Sequence, residues 1–60
     1  MKKNNKLIMV VDDENEIRSI INDILIEEGY KSIVASSAEE ARQLLTRHTP
    51  DLVFLDIWMP

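Results

Sequence analysis

Leu52-Val53-Phe54-Leu55-Asp56-Ile57-Trp58-Met59-Pro60 is a run of four apolar residues that delivers one carboxylate and then reaches a proline. Apolar residues at every position, rather than at every second one, suit a strand covered on both faces, as in the parallel sheets of α/β proteins. Pro60 has no N–H for a strand ladder and biases Met59 toward an extended or turn conformation, so the strand is expected to finish near Asp56. Asp56 then stands at a strand-to-loop junction, where α/β folds gather their chemistry.

A second run of the same kind lies near the amino end. Lys6 to Val11 carries Leu7, Ile8, Met9, Val10 and Val11 in unbroken succession and stops abruptly at Asp12-Asp13-Glu14-Asn15. Asp and Asn cap free backbone N–H groups, and acids in a first turn suit the positive end of a helix dipole, so a helix is expected directly afterwards. Its apolar stripe is Ile17, Ile20, Ile21, Ile24 and Leu25, spaced at the helical period, with Arg18, Asn22 and Glu28 off the stripe. Gly29 closes it, and Tyr30 to Ala35 reads as a shorter, more polar strand fit for a sheet edge. Ser37 and Glu40 have capping-box spacing, each side chain able to satisfy the other's backbone donor, and open a second helix. Ala38, Ala41, Leu44 and Leu45 form its apolar stripe, and His48-Thr49-Pro50-Asp51 ends it. His48, the only histidine, sits at a helix's negative end and reads as a capping or solvated residue rather than a ligand.

Composition narrows the function classes. Sixty residues with 45% hydrophobic and 30% charged content describe a globular chain rather than a disordered one. A chain of this size buries only about 60% of the surface its unfolded form exposes, and without cysteine it has no disulfide to compensate. The basic start Met1-Lys2-Lys3-Asn4-Asn5-Lys6 imitates a signal peptide, yet the apolar run after it is too short for a signal or membrane segment, and a cytoplasmic location is expected. A net charge of −4 argues against nucleic-acid or anionic-membrane binding by this segment, because phosphates reward clustered Lys and Arg.

The order strand, helix, strand, helix, strand with short connections is the pattern of a parallel α/β sheet. Crossovers in such sheets are right-handed, so if the second and third strands flank the first, the two helices cover opposite faces. Strand order 2-1-3 is expected over 1-2-3 because strands one and three are the two apolar runs, as central strands should be, and strand two is the polar one. It creates a switch point between strands one and three, where Asp12, Asp13 and Asp56 meet. Three carboxylates in close quarters repel one another and raise each other's proton affinity unless a cation intervenes. Magnesium is the expected ion, since it takes oxygen ligands, keeps several waters and commonly uses one or two carboxylates. Calcium fits less well without an EF-hand loop, and zinc or copper would want Cys and His ligands that are missing.

The motifs Met9-Val10-Val11-Asp12-Asp13-Glu14, Glu28-Gly29-Tyr30, Ala41 with Leu44-Leu45, and Pro50-Asp51-Leu52-Val53-Phe54-Leu55-Asp56-Ile57-Trp58-Met59-Pro60 together resemble the receiver domain of bacterial two-component response regulators. The resemblance covers nearly the whole chain. It implies a flavodoxin-like (CheY-like) doubly wound parallel sheet, here cut to β1-α1-β2-α2-β3. It also implies that Asp56 is the phosphoacceptor for a sensor histidine kinase and that Mg2+ is the cofactor. Asp13 and Asp56 match direct metal ligands, the backbone carbonyl of Trp58 matches a third, and Asp12 matches a carboxylate that holds a metal-bound water. The Asp56-Ile57-Trp58 variant looks most like transcription-activating regulators of the nitrogen-regulation type.

Receiver domains have five strands and five helices, with a Ser or Thr after the fourth strand and a Lys after the fifth. Neither group follows Asp56 in these 60 residues, and Lys2, Lys3, Lys6 and Lys31 belong to the opposite end of the sheet. Residues 1–60 are therefore expected to be the amino-terminal part of a single receiver domain, unable to switch alone and controlling an output region not included in it. A signalling module rather than an enzyme is the leading expectation. The alternatives are a metal-dependent phosphohydrolase-like α/β fragment with an aspartate nucleophile and a purely structural fragment. The haloacid-dehalogenase pattern of two acids on one strand end is absent, because Trp58 stands where the second acid would be. With no neighbour expected beyond strand three, homodimerisation or other self-association through Leu52–Leu55 is the expected fate of the isolated chain.

Overall fold

Strands and helices alternate as β1 (Leu7–Asp12), α1 (Asn15–Glu27), β2 (Lys31–Ala35), α2 (Ala38–Leu45) and β3 (Leu52–Asp56). The structure, a computed structural model, describes residues 5–56, with Asp56 described through its backbone alone. All pairing is parallel, and the order is β2-β1-β3, as the distribution of apolar runs predicts. β1 pairs with β2 from Leu7↔Lys31 to Val11↔Ala35 and with β3 from Ile8↔Leu52 to Asp12↔Asp56. No helix among the described residues is long and apolar enough to cross a membrane.

The unbroken apolar run of β1 is explained by its central position. Met9 and Val11 face α2 and form a core with Ala35 and Ala41, flanked by Ile33 and Leu44. The alternate residues Ile8 and Val10 are also buried, on the side that α1 covers together with β2. Fully burying a side chain of this size is worth about 2 kcal/mol, so β1 supplies most of what holds the small fold together. β3 behaves differently from the expectation of a strand covered on both sides. Neither helix reaches it among the described residues, and Leu52, Val53, Phe54 and Leu55 remain 45 to 66% exposed. Its apolar sequence is matched by a neighbour on only one edge.

The same geometry corrects the reading of α1. Its half-buried residues include Arg18, Ile21, Asn22 and Leu25, while Ile20 and Ile24 are more than half exposed and Ile17 is also exposed. The helix lies over β1 and β2, and Asn15, Arg18, Ser19 and Asn22 line a shallow hollow with Val34 of β2. The opposite flank, carrying Ile17, Ile20 and Ile24, is exposed. Of the stripe expected from the sequence only Ile21 and Leu25 are half-buried, because α1 packs on β1 and β2 and has no contact with β3 among the described residues.

Helix ends follow local chemistry, with two departures. Gly29 takes φ 94°, and the Gly29 and Tyr30 N–H groups donate to Ile26 O and Leu25 O, the paired bonds of a Schellman close. The N-cap of α1 is Glu14, whose side chain makes no capping bond. Asp12 acts instead, accepting the Glu14 N–H at 2.8 Å, because β1 runs to Asp12 and a short carboxylate reaches the N–H two residues on. At α2 the Glu40 N–H donates to Ser37 Oγ at 3.1 Å as expected. The Glu40 carboxylate, however, receives the N–H and hydroxyl of Ser36, at 2.6 and 2.9 Å, rather than the N–H of Ser37. Ser36 offers two donors to one oxygen where Ser37 offers one.

A reciprocal pair of bonds ties the start of β3 to the start of β1. The Leu7 N–H donates to Asp51 Oδ2 at 2.8 Å, and the Asp51 N–H donates to Leu7 O at 2.7 Å. Asp51 thus meets the first N–H of β1 with a charge and sets the register one residue before pairing begins. Asp51→Ala is expected to lower stability by about 1 kcal/mol, the usual worth of one hydrogen bond, and Asp51→Asn by less because its amide oxygen still accepts. Urea melts of the two variants check the order; equal stability of Asp51→Ala and the parent would remove the clamp.

Glu40 carries a second prediction. The Ser36 N–H first, then the Ser36 hydroxyl, hold its carboxyl below the ordinary 4.5 against an opposing effect of desolvation, with the positive charge of Arg18 as the smallest contribution. A depressed folded-state pKa means that the carboxylate's contribution is complete above pH 4.5 and is lost as pH falls through the folded value. The stability gap between the parent and Glu40→Gln should therefore be widest near neutrality and close in acid. A gap that stays constant from neutral to strongly acidic pH would show that the charge does not matter.

Candidate acidic site at the carboxyl ends of β1 and β3

Two strands that run parallel in register deliver their last residues side by side. Asp12 ends β1, Asp56 ends β3, and the two are Cα partners. Neighbouring strands lie about 4.8 Å apart, so the backbone carries two aspartates to one end of the sheet at the junction expected from strand order 2-1-3. Asp13 and Glu14 follow Asp12 directly in the short exposed turn to α1. The side chain of Asp56 and all of Ile57, Trp58, Met59 and Pro60 lie outside the described residues, including the Trp58 carbonyl expected as a ligand. Among the described side chains, no three Asp, Glu, His or Cys groups gather as a metal cage.

Asp12 is the most informative of these residues, at 1% exposure and the only buried charged residue among those described. Its two oxygens have different fates. Oδ1 accepts the Glu14 N–H, whereas Oδ2 is buried with no hydrogen-bond partner. A buried carboxylate oxygen without a donor costs several kcal/mol in an apolar setting, so native structures normally supply one, or a water or ion. An orphaned oxygen at the end of β1, beside Asp13 and the register partner Asp56, is suited to a hard cation or one of its waters. The donor set is all oxygen, which fits magnesium.

Arg18 completes the turn. Its guanidinium donates to Asp12 O at 2.8 Å and to Asn15 Oδ1, while its own N–H donates to Glu14 O at 2.9 Å. Reading the sequence missed this residue, placing it merely off the apolar stripe of α1. The signal was slight: a cation in the first turn of a helix, where the dipole disfavours positive charge. By contrast, Lys6 and Lys31 stand where expected, while Lys2 and Lys3 lie outside the described residues. The Lys31 N–H bonds Lys6 O, and Lys31 pairs with Leu7, which is five residue steps along β1 from Asp12, or about 16 Å. A surface hollow lined by Glu40, Gln43, Leu44, Thr46 and Arg47 belongs to the flank of α2 and includes none of Asp12, Asp13 and Glu14.

Comparison with known proteins bears on the same residues. Residues 8–60 match the response regulator receiver domain. The chain is 38% identical over 56 residues to sporulation initiation phosphotransferase F of Bacillus subtilis, covering 93% of this chain and 45% of that protein. It is 43% identical over 56 residues to the alkaline phosphatase synthesis transcriptional regulatory protein PhoP of the same organism, covering 93% of this chain and 23% of the relative. To the nitrogen assimilation regulatory protein NtrX of Azorhizobium caulinodans it is 40% identical over 52 residues, 87% of this chain and 12% of the relative. The chain thus spans less than half the length of these curated relatives, and no solved structure matches it. With the family's motifs lying on the ends of β1 and β3, and the matched region running through both, the chain belongs to the response regulator receiver domain family.

Proposed function

We propose that the chain is the phosphoacceptor half of a two-component receiver, in which Asp56 takes a phosphoryl group from a phosphohistidine of a sensor histidine kinase. The observation that carries this reading is the buried Asp12, with one oxygen unpartnered, set in register with Asp56. In the transfer, a carboxylate oxygen of Asp56 attacks phosphorus, a P–O bond forms as the P–N bond breaks, and the imidazole leaves with the bonding pair. Asp56 ends as an acyl phosphate. The chain is a substrate of phosphoryl transfer in this scheme and not an enzyme acting on small molecules.

Magnesium, when bound, supplies the neutralisation that phosphoryl transfer needs on its equatorial oxygens. Asp13 and Asp56 would hold it directly, with the Trp58 carbonyl, and Asp12 would hold one of its waters through the free Oδ2. The chain's own work is positioning. The Glu14 N–H holds Asp12 Oδ1, and the ladder to β1 sets the end of β3. Relatives named as transcriptional regulators support a transcriptional output carried outside this segment. The nitrogen-regulation assignment rests on Asp56-Ile57-Trp58 and on the likeness to NtrX. A cytoplasmic site of action follows from a kinase partner that uses ATP-derived phosphate, and a net charge of −4 leaves nucleic-acid contact to other segments.

Incubation of the full chain with a small acyl phosphate and Mg2+, followed by intact mass, tests the proposal. One added phosphoryl group is expected, labile to hydroxylamine and absent from Asp56→Asn. Steady release of inorganic phosphate without a trapped adduct would favour the phosphohydrolase alternative and overturn the receiver reading.

A partner for β3 belongs to the same proposal. Its outer edge is unpaired among the described residues, and Leu52–Leu55 are bare on both faces, the combination by which strands recruit other chains. The isolated 60 residues are expected to self-associate through Leu52–Leu55, with two copies related by a two-fold axis. Sedimentation over a range of concentrations reads this directly; a compact monomer at micromolar concentration, unfolding cooperatively, would refute it.

A further inference from the structure

We propose that Arg18 is a positioning residue for the acidic site, a rigid brace that spans the turn from Asp12 to Asn15 and fixes the carboxylates of Asp12 and Asp13 for a divalent cation. The inference rests on the function proposed above and adds to it a residue that touches neither phosphate nor metal.

The brace is built from three bonds. One guanidinium nitrogen donates to Asp12 O at 2.8 Å, the other donates to Asn15 Oδ1, and the backbone N–H of Arg18 donates to Glu14 O. A guanidinium is planar and presents its donors in a fixed fork, so holding one acceptor constrains the other. The carbonyl of Asp12 and the N–H of Asp13 share one planar peptide. Holding that carbonyl therefore orients the peptide from which Asp13 departs. On the other side of the same residue, Asp12 Oδ1 is held by the Glu14 N–H. Asp12 is thus fixed through its main chain by Arg18 and through its side chain by Glu14, and Oδ2 alone is left over.

The acceptors chosen by Arg18 matter as much as their positions. Both are neutral, a peptide carbonyl and a carboxamide, so these bonds tie up none of the carboxylate oxygens that would bind a cation. The half-burial of Arg18 against the sheet-facing side of α1 holds its stem in place. A cation at this point would by charge alone oppose a second cation nearby. Position and charge therefore predict opposite consequences of removing it.

The experiment is a Mg2+ titration of the full chain and its variants, read by metal-dependent backbone amide shifts and by hydrogen exchange at the Glu14 N–H. If Arg18 positions the site, Arg18→Ala should weaken Mg2+ binding by about ten-fold, as loss of an outer partner to metal ligands usually does. Glu14 exchange should quicken even without metal. Arg18→Lys keeps the charge but loses the fork, and it should also bind more weakly than the parent; it carries the test if Arg18→Ala fails to fold. Arg42→Ala, on the exposed side of α2, removes the same charge elsewhere and should leave binding unchanged or slightly tighter. Tighter or equal binding in Arg18→Ala, or parent-like binding in Arg18→Lys, would overturn the brace while leaving the receiver reading intact. A parent chain that binds no Mg2+ would overturn that reading and the brace with it.

Discussion

The parallel pairing of β1 with β3 is the constraint on which the rest depends. It is the contact that sets Asp12 opposite Asp56, and it exists because β1 is the one strand flanked on both edges and buried on both faces. A sheet transmits register without loss, since each residue advances a strand by about 3.3 Å and a slip of one residue turns every side chain to the other face. Such a slip between β1 and β3 would therefore move Asp56 away from its partner and reverse its side. The fold's central hydrophobic strand and its acidic end are products of the same seven-residue region, Leu7 to Asp13.

Much of this was legible in the sequence, for reasons that can be assigned residue by residue. Continuous apolar runs at Leu7–Val11 and Leu52–Leu55, set against the mixed Lys31–Ala35, predict which strands are neighbours, and the observed order agrees. Gly29 and Ser37 mark helix ends through backbone chemistry that acts within a few residues, and both act as expected. That Asp12 and Asp56 end neighbouring strands was legible because carboxylates ending apolar strands are costly without a purpose. What escaped depends on contacts between distant segments. Nothing in the spacing of α1 announces that Ile20 and Ile24 are exposed, because that follows from which strands the helix packs on. Nor does spacing reveal that Arg18 turns back onto Asp12, since the bond is made to a main-chain carbonyl and leaves no mark on residue type.

The exposed apolar residues fall on two elements, α1 and β3. Ile17, Ile20 and Ile24 are exposed on α1, and Leu52–Leu55 are exposed on β3, which neither helix contacts among the described residues. Soluble monomers rarely leave contiguous apolar area of this kind open. The two helices bury β1 and β2 well and leave β3 as an edge on which further structure can be built, which agrees with relatives that are more than twice the length of this chain. Stability and the acidic site are in this sense drawn from different resources. The core rests on β1, β2 and the helix faces over them, whereas the site needs β3, the least supported strand.

That division gives the clamp at the far end its importance. Asp51 and Leu7 exchange two hydrogen bonds at the amino ends of β3 and β1, while Asp12 and Asp56 stand at the carboxyl ends. Since no helix packs on β3 among the described residues, its alignment rests on ladder bonds, which a slipped register could form almost as well, and on this reciprocal pair, which it could not. A carboxylate that accepts the first N–H of β1 is a local mark in an otherwise repetitive ladder, fixing which residue of β3 meets which residue of β1. The hydrogen bond accepted by Asp51, five residues before Asp56 and touching neither acid, thereby supports the register that brings Asp56 beside Asp12.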